Sequence, residues 1–405
     1  MPSREPPEHS LARSLTRLTP APLPQADLDE RQRLACLRLI RSSNVGPVTF
    51  RELINQFGGA VEALEALPEL SRRGGRHSLR ICARADAEAE LEAADRIGAR
   101  PLFTIEPGYP PALAVLPQSP PLLYAKGDLG QLLRPTLAIV GARNGSAAGQ
   151  KLARLFAARI GSAGLAIASG LARGIDAAAH EAALATGTVA VVAGGIDVVY
   201  PPEHERLQAQ IGERGCLVSE QPPGFVPRAK DFPRRNRIIS GISLGVVIVE
   251  AARRSGTLIT ARMAAEQGRE VFAVPGHPLD PRAEGTNRLL KTGATLVTEP
   301  EDVLEVLAPM LREGPSAVAM YPDDTRFPQA EDSRHPDLPQ FGAGERARLL
   351  GALGPAPVDI DELARATGLS IRSIRIALIE LDLAGRIERH GHQLVSLATD
   401  VSDPA

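Results

Sequence analysis

The sequence predicts an α/β protein built on a Rossmann-like, doubly wound, mostly parallel sheet, with an N-terminal helical domain and a C-terminal winged helix. Three observations predict it. Seven short apolar, β-rich runs recur through the centre, at 136–140, 165–169, 188–192, 216–220, 245–250, 270–275 and 295–298, and unbroken apolar runs of this length fit strands covered on both faces. Helical stretches at 147–160, 176–185 and 258–267 lie between them and can serve as the crossovers that parallel strands require. Several runs end in small-residue loops that open a helix, as in sheets whose carboxyl ends hold the ligand.

Length and composition agree with this class. A chain of 405 residues is too long for one ordinary core and suggests two or three domains. With 43% hydrophobic and 23% charged residues it can bury enough apolar surface to fold as a soluble globular protein. Its longest apolar runs, such as 189–193 and 246–249, fall far short of the roughly 18 residues that cross a bilayer. The N-terminus, with Arg4, Glu5 and Glu8 among prolines, lacks the apolar core of a secretory signal, so a cytoplasmic protein is expected. Cys36, Cys82 and Cys216 are widely spaced, which predicts neither a disulfide framework nor a zinc site but small buried apolar residues. A net charge of −2 means that any nucleic-acid binding needs a local basic patch.

Along the chain, residues 1–26 predict a disordered leader. Residues 27–98 predict a helical domain whose turn Asn44-Val45-Gly46-Pro47 suits either a helix-hairpin-helix that offers amides to phosphate or a plain packing module. The sheet domain follows at 99–307, then a Pro-, Asp- and Ser-rich linker at 308–341, a winged helix at 342–398 and a tail at 399–405. In the winged helix, Ile371, Ile374, Leu378 and Leu381 form the buried stripe and leave Arg372 and Arg375 outward. Those arginines could meet phosphate. Equally, the domain could dock on protein, since Asp359, Asp361 and Glu362 on the preceding helix oppose duplex binding.

The first central run ends in Gly141-Ala142-Arg143-Asn144-Gly145 before a helix, so donors and a cation sit at a helix N-terminus that attracts anions. The glycine spacing departs from G-x-G-x-x-G and the second run ends Ala168-Ser169-Gly170 with no acid, which disfavours a dinucleotide site. No G-x-x-x-x-G-K-[ST] occurs either. Ser169-Gly170-Leu171-Ala172-Arg173-Gly174 and Glu250-Ala251-Ala252-Arg253-Arg254-Ser255-Gly256-Thr257 repeat the design. Hydroxyls and amides of Ser169, Gly170, Ser255, Gly256 and Thr257 could cradle phosphate oxygens, and three such loops on one edge favour a shared anion site over plain turns.

Between the fourth and fifth runs lies Pro227-Arg228-Ala229-Lys230-Asp231-Phe232-Pro233-Arg234-Arg235-Asn236-Arg237, five basic residues against one acid, which supplies the required patch. A base can stack on Phe232 for roughly 1–3 kcal/mol while Lys230 and neighbouring arginines hold phosphates. Composition leaves this even with a Phe232 that fills the core beneath a solvated charge run. Asp176 and His180 share a helix face but have no third ligand at helical spacing, so no metal is expected.

These residues resemble the DNA-processing protein A (DprA) family, also called Smf. The resemblance runs from about Leu34 to Val297 on Ile139-Val140-Gly141-Ala142-Arg143, Ser169 to Asp176 with Ala179-His180, Tyr200-Pro201, Ser219-Glu220, Phe232-Pro233-Arg234-Arg235-Asn236-Arg237-Ile238-Ile239-Ser240, Ser255-Gly256-Thr257-Leu258-Ile259-Thr260-Ala261 and Gly285-Thr286-Asn287. It implies a protein without catalysis or cofactor that binds single-stranded DNA in natural transformation, loads the RecA recombinase and acts as a homodimer. It places the strand at Arg143, the Ser169-Gly170 loop, Lys230, Phe232, Asn236 and the Ser255-Gly256 loop, and it likens the N-terminal helices to a sterile-alpha-motif-like domain. The full candidate site is Gly141, Arg143, Ser169, Gly170, Arg173, Gly174, Lys230, Phe232, Arg235, Asn236, Arg237, Ser255, Gly256, Thr257 and Asn287. The competing expectation is a nucleotide phosphoribohydrolase on the same sheet. Those enzymes use Pro-Gly-Gly-x-Gly-Thr-x-x-Glu, where this chain has Arg254-Ser255-Gly256-Thr257-Leu258-Ile259-Thr260. A pure interaction scaffold would need no cationic pocket.

Overall fold

The computed structural model describes residues 27–75, 79–313, 343–390 and 393–398; the predicted leader, most of the linker and the tail lie outside them. The described chain falls into two compact units, one on Glu92–Ser119 and the chain from Leu123 through the sheet, the other on Asp27–Leu91 and the C-terminal helices and hairpin.

The chain opens with helices α1 (Glu30–Arg41), α2 (Pro47–Phe57), α3 (Ala60–Arg73) and α4 (Arg84–Arg96). Asp29 caps α1 through the Gln32 amide, and Gly46-Pro47 opens α2 with proline where its missing N–H costs nothing. Gly58 takes φ 74 to close α2, a left-handed stop that favours glycine. Leu37, Leu39, Phe50, Leu53, Ile54 and Leu67 are buried among these helices.

The sheet contains β1 (Arg100–Phe103), β2 (Leu122–Gly127), β3 (Thr136–Val140), β4 (Ala166–Ser169), β5 (Thr188–Val191), β6 (Cys216–Ser219), β7 (Gly245–Ile248), β8 (Glu270–Ala273) and β9 (Thr295–Leu296). Their order is β1-β2-β6-β5-β4-β3-β7-β8-β9. From β6 to β9 every pairing is parallel, whereas β2 runs antiparallel to β6. The chain therefore walks outward from β3 through β6 and returns beside β3 as β7, which makes the β3/β7 boundary the switch point where a doubly wound sheet opens a crevice. Each predicted run appears within a few residues of its expected place. Strands β1 and β2 were not anticipated, because short runs beside prolines carry little periodic signal.

Helices α5 (Ala147–Ser162), α6 (Ile175–Ala183), α7 (Glu205–Arg214), α8 (Asp231–Gly241), α9 (Thr257–Glu266), α10 (Glu284–Lys291) and α11 (Pro300–Glu313) cover both faces. One core layer holds Ala138, Val140, Val189, Val218, Ile238 and Val246 and the other Leu137, Ile139, Phe156, Ile167, Val247 and Phe272. Adjacent strand residues thus point to opposite layers, and both are apolar because both faces are covered. Among the described residues no helix is long and apolar enough to cross a membrane. Cys36 and Cys216 are buried as expected, but Cys82 is only half-buried.

The C-terminal part is a winged helix of α12 (Ala343–Ala352), β10 (Val358–Asp359), α13 (Ile360–Thr367), α14 (Ile371–Leu383) and the hairpin β11 (Ile387–His390) with β12 (Leu394–Leu397). Ile374, Leu378 and Leu381 enter its core, while Ile371, expected there, is 44% exposed in the first turn of α14. A second buried face of α14 carries Ile376, Ile379, Glu380 and Leu383. Gly74, at the end of α3, comes so close that a Cβ there would lie 2.0 Å from the Glu380 carbonyl oxygen. The expected helix-hairpin-helix turn sits here too: Asn44 Nδ2 donates to the Leu383 carbonyl at 2.9 Å. Arg389 joins the parts with ion pairs to Glu52 at 2.6 Å and Asp382 at 2.9 Å.

Candidate functional site

The carboxyl ends of β3, β4, β5 and β7 carry the loops around the switch point. After β3 the chain turns at Gly141, where a Cβ would lie 2.7 Å from the Ile175 side chain. Gly174, at φ 75, closes from the other side, its Cβ position 2.5 Å from the Ala142 carbonyl oxygen. These glycines allow the first two loops to interlock, and the Ile175 amide donates to Ala142 O at 3.3 Å.

Arg143 is exposed at the tip of this pair, its guanidinium carbon 5.5 Å from the Phe232 ring centroid. Phe232 is half-buried in the first turn of α8, next to the exposed Lys230 at the helix start. Two residues predicted from separate motifs thus meet, in a geometry suited to cation–π attraction. Tyr200, on the loop after β5, completes the group with its ring 5.1 Å from Phe232 and tilted by 52°. Tyr200 was quoted in the family motif but not placed in the candidate site. The signal that could have found it is the scarcity of aromatics, 3% of the chain.

The 227–237 segment was expected to supply a local basic patch, and its helical phase sends those cations in different directions. Arg228, Lys230 and Arg234 are exposed. Arg235, three residues after Phe232, turns inward and is 7% exposed, with Nη1 donating to Val191 O at 2.6 Å. Arg237 points to another side, with Nη2 2.6 Å from Glu220 and Nη1 donating to Gln118 O at 3.0 Å. Asn236 Nδ2 reaches Gly256 O at 3.5 Å.

The loop amides and hydroxyls differ from the expected phosphate cradle for a common reason: the chain supplies its own acceptors. Asp176 Oδ2 accepts the Gly170 amide at 3.1 Å and the Ala172 amide at 3.4 Å. Ser169 Oγ donates to Ile139 O at 2.6 Å, and Thr257 Oγ1 donates to Gly141 O at 3.0 Å. Ser255 Oγ donates to Thr257 Oγ1 at 2.9 Å and accepts the Thr257 amide at 3.2 Å. At the N-terminus of α5, Glu250 accepts from the Ser146 amide at 2.9 Å and the Ser146 hydroxyl at 2.5 Å. A carboxylate already meets that helix's positive end. Asn287 pairs both ways with Gly276, at 3.2 and 3.0 Å. These groups are engaged within the chain, and the exposed Arg143 and Lys230 add side-chain cations at this edge.

Beneath the edge lies a buried polar layer. Burial pushes the Asp176 carboxyl up, against the lowering charge of Arg235. Burial brings Arg235 down to about 10. His180, fully enclosed, falls to about 3 through burial and then the Arg235 charge. Its Nδ1 lies 2.7 Å from Thr188 Oγ1, whose proton goes to Ile167 O. Gly170 roofs this layer, for a Cβ there would lie 2.0 Å from Arg235 Nη1.

A pocket opens above it. From the predicted set Arg143, Gly170, Arg173, Phe232 and Arg235 line it, together with Leu171, Ala172, Val192, Ala193, Gly194, Val198, Tyr200, Pro201 and Pro227. The lining carries three arginines and two aromatics and no carboxylate. Arg173 pairs loosely with Glu203 at 3.3 Å, both half-exposed, a contact worth little in water. Gly141, Ser169, Gly174, Lys230, Asn236, Arg237, Ser255, Gly256, Thr257 and Asn287 do not line it. Among the described residues no three His, Cys, Asp or Glu side chains group to hold a metal ion.

The fold and this edge define a Rossmann-like α/β protein with a cationic, aromatic pocket over the carboxyl ends of β3, β4 and β5 and a winged helix at its C-terminal end. The chain belongs to the DNA processing protein A (DprA/Smf) family. The model of DNA recombination-mediator protein A matches residues 100–308, the DprA-like N-terminal HHH domain residues 30–93 and the DprA winged helix domain residues 329–392. Protein Smf of Escherichia coli is 44% identical over 283 residues, 69% of this chain and 72% of that protein. DNA processing protein DprA of Streptococcus pneumoniae is 45% identical over 207 residues, 50% of this chain and 73% of that one. The X-ray structure of DNA processing protein A from Streptococcus pneumoniae aligns with TM-score 0.56 at 34% identity, over 69% of this chain and 98% of the other.

Proposed function

We propose that this chain binds single-stranded DNA without regard to sequence at the carboxyl ends of β3, β4 and β5 and serves natural transformation and recombination. The observation that carries the proposal is the column of Arg143, Phe232 and Tyr200 beside unpaired Lys230. An aromatic face accepts any unstacked base and a flanking cation holds its phosphate, whereas duplex bases are hidden in their stack. Family membership supports the assignment to DNA processing. Delivery of the strand to RecA and homodimer formation follow from the family resemblance alone, and a cytoplasmic setting from an N-terminal sequence without a secretory core; together they complete the proposal.

The site is a binding site in this view, and its lining supports that, since arginines and aromatics offer neither a general base nor a nucleophile beside one. The test is a fluorescence-anisotropy titration of a labelled oligothymidylate with the wild type and a Phe232→Ala, Lys230→Ala double variant. The variant is expected to lose at least tenfold in affinity. Equal binding would remove the pocket from the proposal, and release of free adenine from AMP by purified protein would favour the phosphoribohydrolase instead.

A further inference from the structure

The geometry points to Tyr200 as a second base-stacking platform, so that the site holds two bases of one strand, one at Phe232 and one on the open face of Tyr200. This rests on the single-strand proposal above and extends it to a residue that no family motif assigns to binding.

Three features carry the inference. Tyr200 is 44% exposed although its ring lies 5.1 Å from that of Phe232 and is tilted by 52° to it, so the contact leaves much of the residue open to solvent. Arg143 already covers Phe232 at 5.5 Å, which leaves Tyr200 as the more open aromatic surface of the column. The loop that carries it is also fixed in advance. Gln208 Nε2 donates to Ile196 O at 3.1 Å and Val198 O at 3.3 Å, and Asp197 accepts the Gly224 amide at 2.9 Å. A ring held in place before binding loses little entropy when a base settles on it. A merely structural tyrosine would be expected to bury its ring, as Tyr109 and Tyr124 do at 1% and 0% exposure.

The chain contains no tryptophan, so Tyr200→Trp creates a single-tryptophan protein whose emission reports on that position alone. Titrated with oligothymidylate, it is expected to be quenched in step with binding. Tyr200→Phe should bind within about twofold of the wild type, because the ring is kept, whereas Tyr200→Ala should lose roughly 5- to 150-fold, the span of one lost stacked base. A strand of abasic phosphodiesters separates stacking from structure: on it Tyr200→Ala and the wild type should bind equally. Unchanged tryptophan emission at saturation, wild-type affinity of Tyr200→Ala for oligothymidylate, or an equal loss on the abasic strand would each overturn the assignment. Failure of the wild type itself to bind oligothymidylate would instead refute the single-strand proposal on which it stands.

Discussion

At the scale of single residues, the charges that look alike in the sequence have different work. Lys230 and Arg143 are exposed and have no acidic partner in the pocket lining, whereas Arg235 is sealed beneath Gly170 and Arg237 is tied to Glu220. Neutralising either exposed cation should therefore flatten the salt dependence of strand binding by about 0.7 in log–log slope per lost phosphate contact. Arg237→Ala should leave that slope unchanged and instead lower stability. Anisotropy titrations over a range of salt, paired with urea unfolding, distinguish the two. Sequence composition could show that the 227–237 segment was basic, but not which cations face water, because that depends on where α8 begins and so on helical phase. It was equally blind to Glu250 meeting the Ser146 amide, since that acceptor lies 104 residues along the chain.

His180 gives a second prediction at this scale. Its folded value of about 3 lies well below the ordinary 6.5, because burial and the Arg235 charge disfavour the imidazolium. The unfolded chain therefore takes up a proton at this site that the folded one refuses. The group's contribution is fully present above about pH 6.5 and is lost as pH falls toward 3, by up to about 1.4 kcal/mol per pH unit. In His180→Asn the amide nitrogen can occupy the place of Nδ1 and still donate to Thr188 Oγ1. The variant should lose less stability than the wild type between pH 6.5 and 4.5, measured by urea unfolding at each pH. Equal pH slopes would show that His180 titrates normally in the folded protein.

At the scale of elements, α14 shows what a single apolar stripe conceals. Ile374, Leu378 and Leu381 predict one buried face, yet Ile376, Ile379 and Leu383 form a second, and a helix apolar on two sides is covered on two sides. The second face meets α3 and the Asn44 turn of the same chain, leaving Arg372 and Arg375 exposed near the start of the helix. Both alternatives for this domain were visible in the sequence. The contacts that cover the second face span more than three hundred residues of chain, which no local pattern encodes. Arg389 is central to them. Arg389→Ala would leave the half-buried Glu52 and Asp382 carboxylates together without the guanidinium that pairs both, at a cost toward the lower end of the roughly 3–5 kcal/mol for breaking a buried pair. Glu52→Gln should cost far less, because burial already pushes the Glu52 carboxyl up and Arg389 keeps Asp382. Hydrogen exchange should show amides of α2 and α14 losing protection in the first variant and keeping it in the second. Protection of α14 unchanged in Arg389→Ala would mean that the apolar contacts alone hold this face.

At the scale of the whole molecule, the near-neutral charge and the cationic edge together decide what can bind. A net charge of −2 provides no long-range attraction for a polyanion, so affinity must arise where cations and aromatics coincide. Duplex and single strand both offer phosphates, and a purely electrostatic edge would prefer the duplex for its higher charge density. In the proposed single-strand site the Arg143, Phe232 and Tyr200 column would reverse that preference, because a base must leave its stack to lie on an aromatic ring and a paired base must also break its hydrogen bonds. Oligothymidylate should therefore bind at least tenfold more tightly than a duplex of equal length, and the ratio should widen as salt rises, since salt weakens phosphate contacts but leaves stacking largely intact. A competition titration at two salt concentrations measures it. A ratio that shrinks with added salt would mean that charge alone governs recognition and that the aromatic column belongs to the packing of the edge.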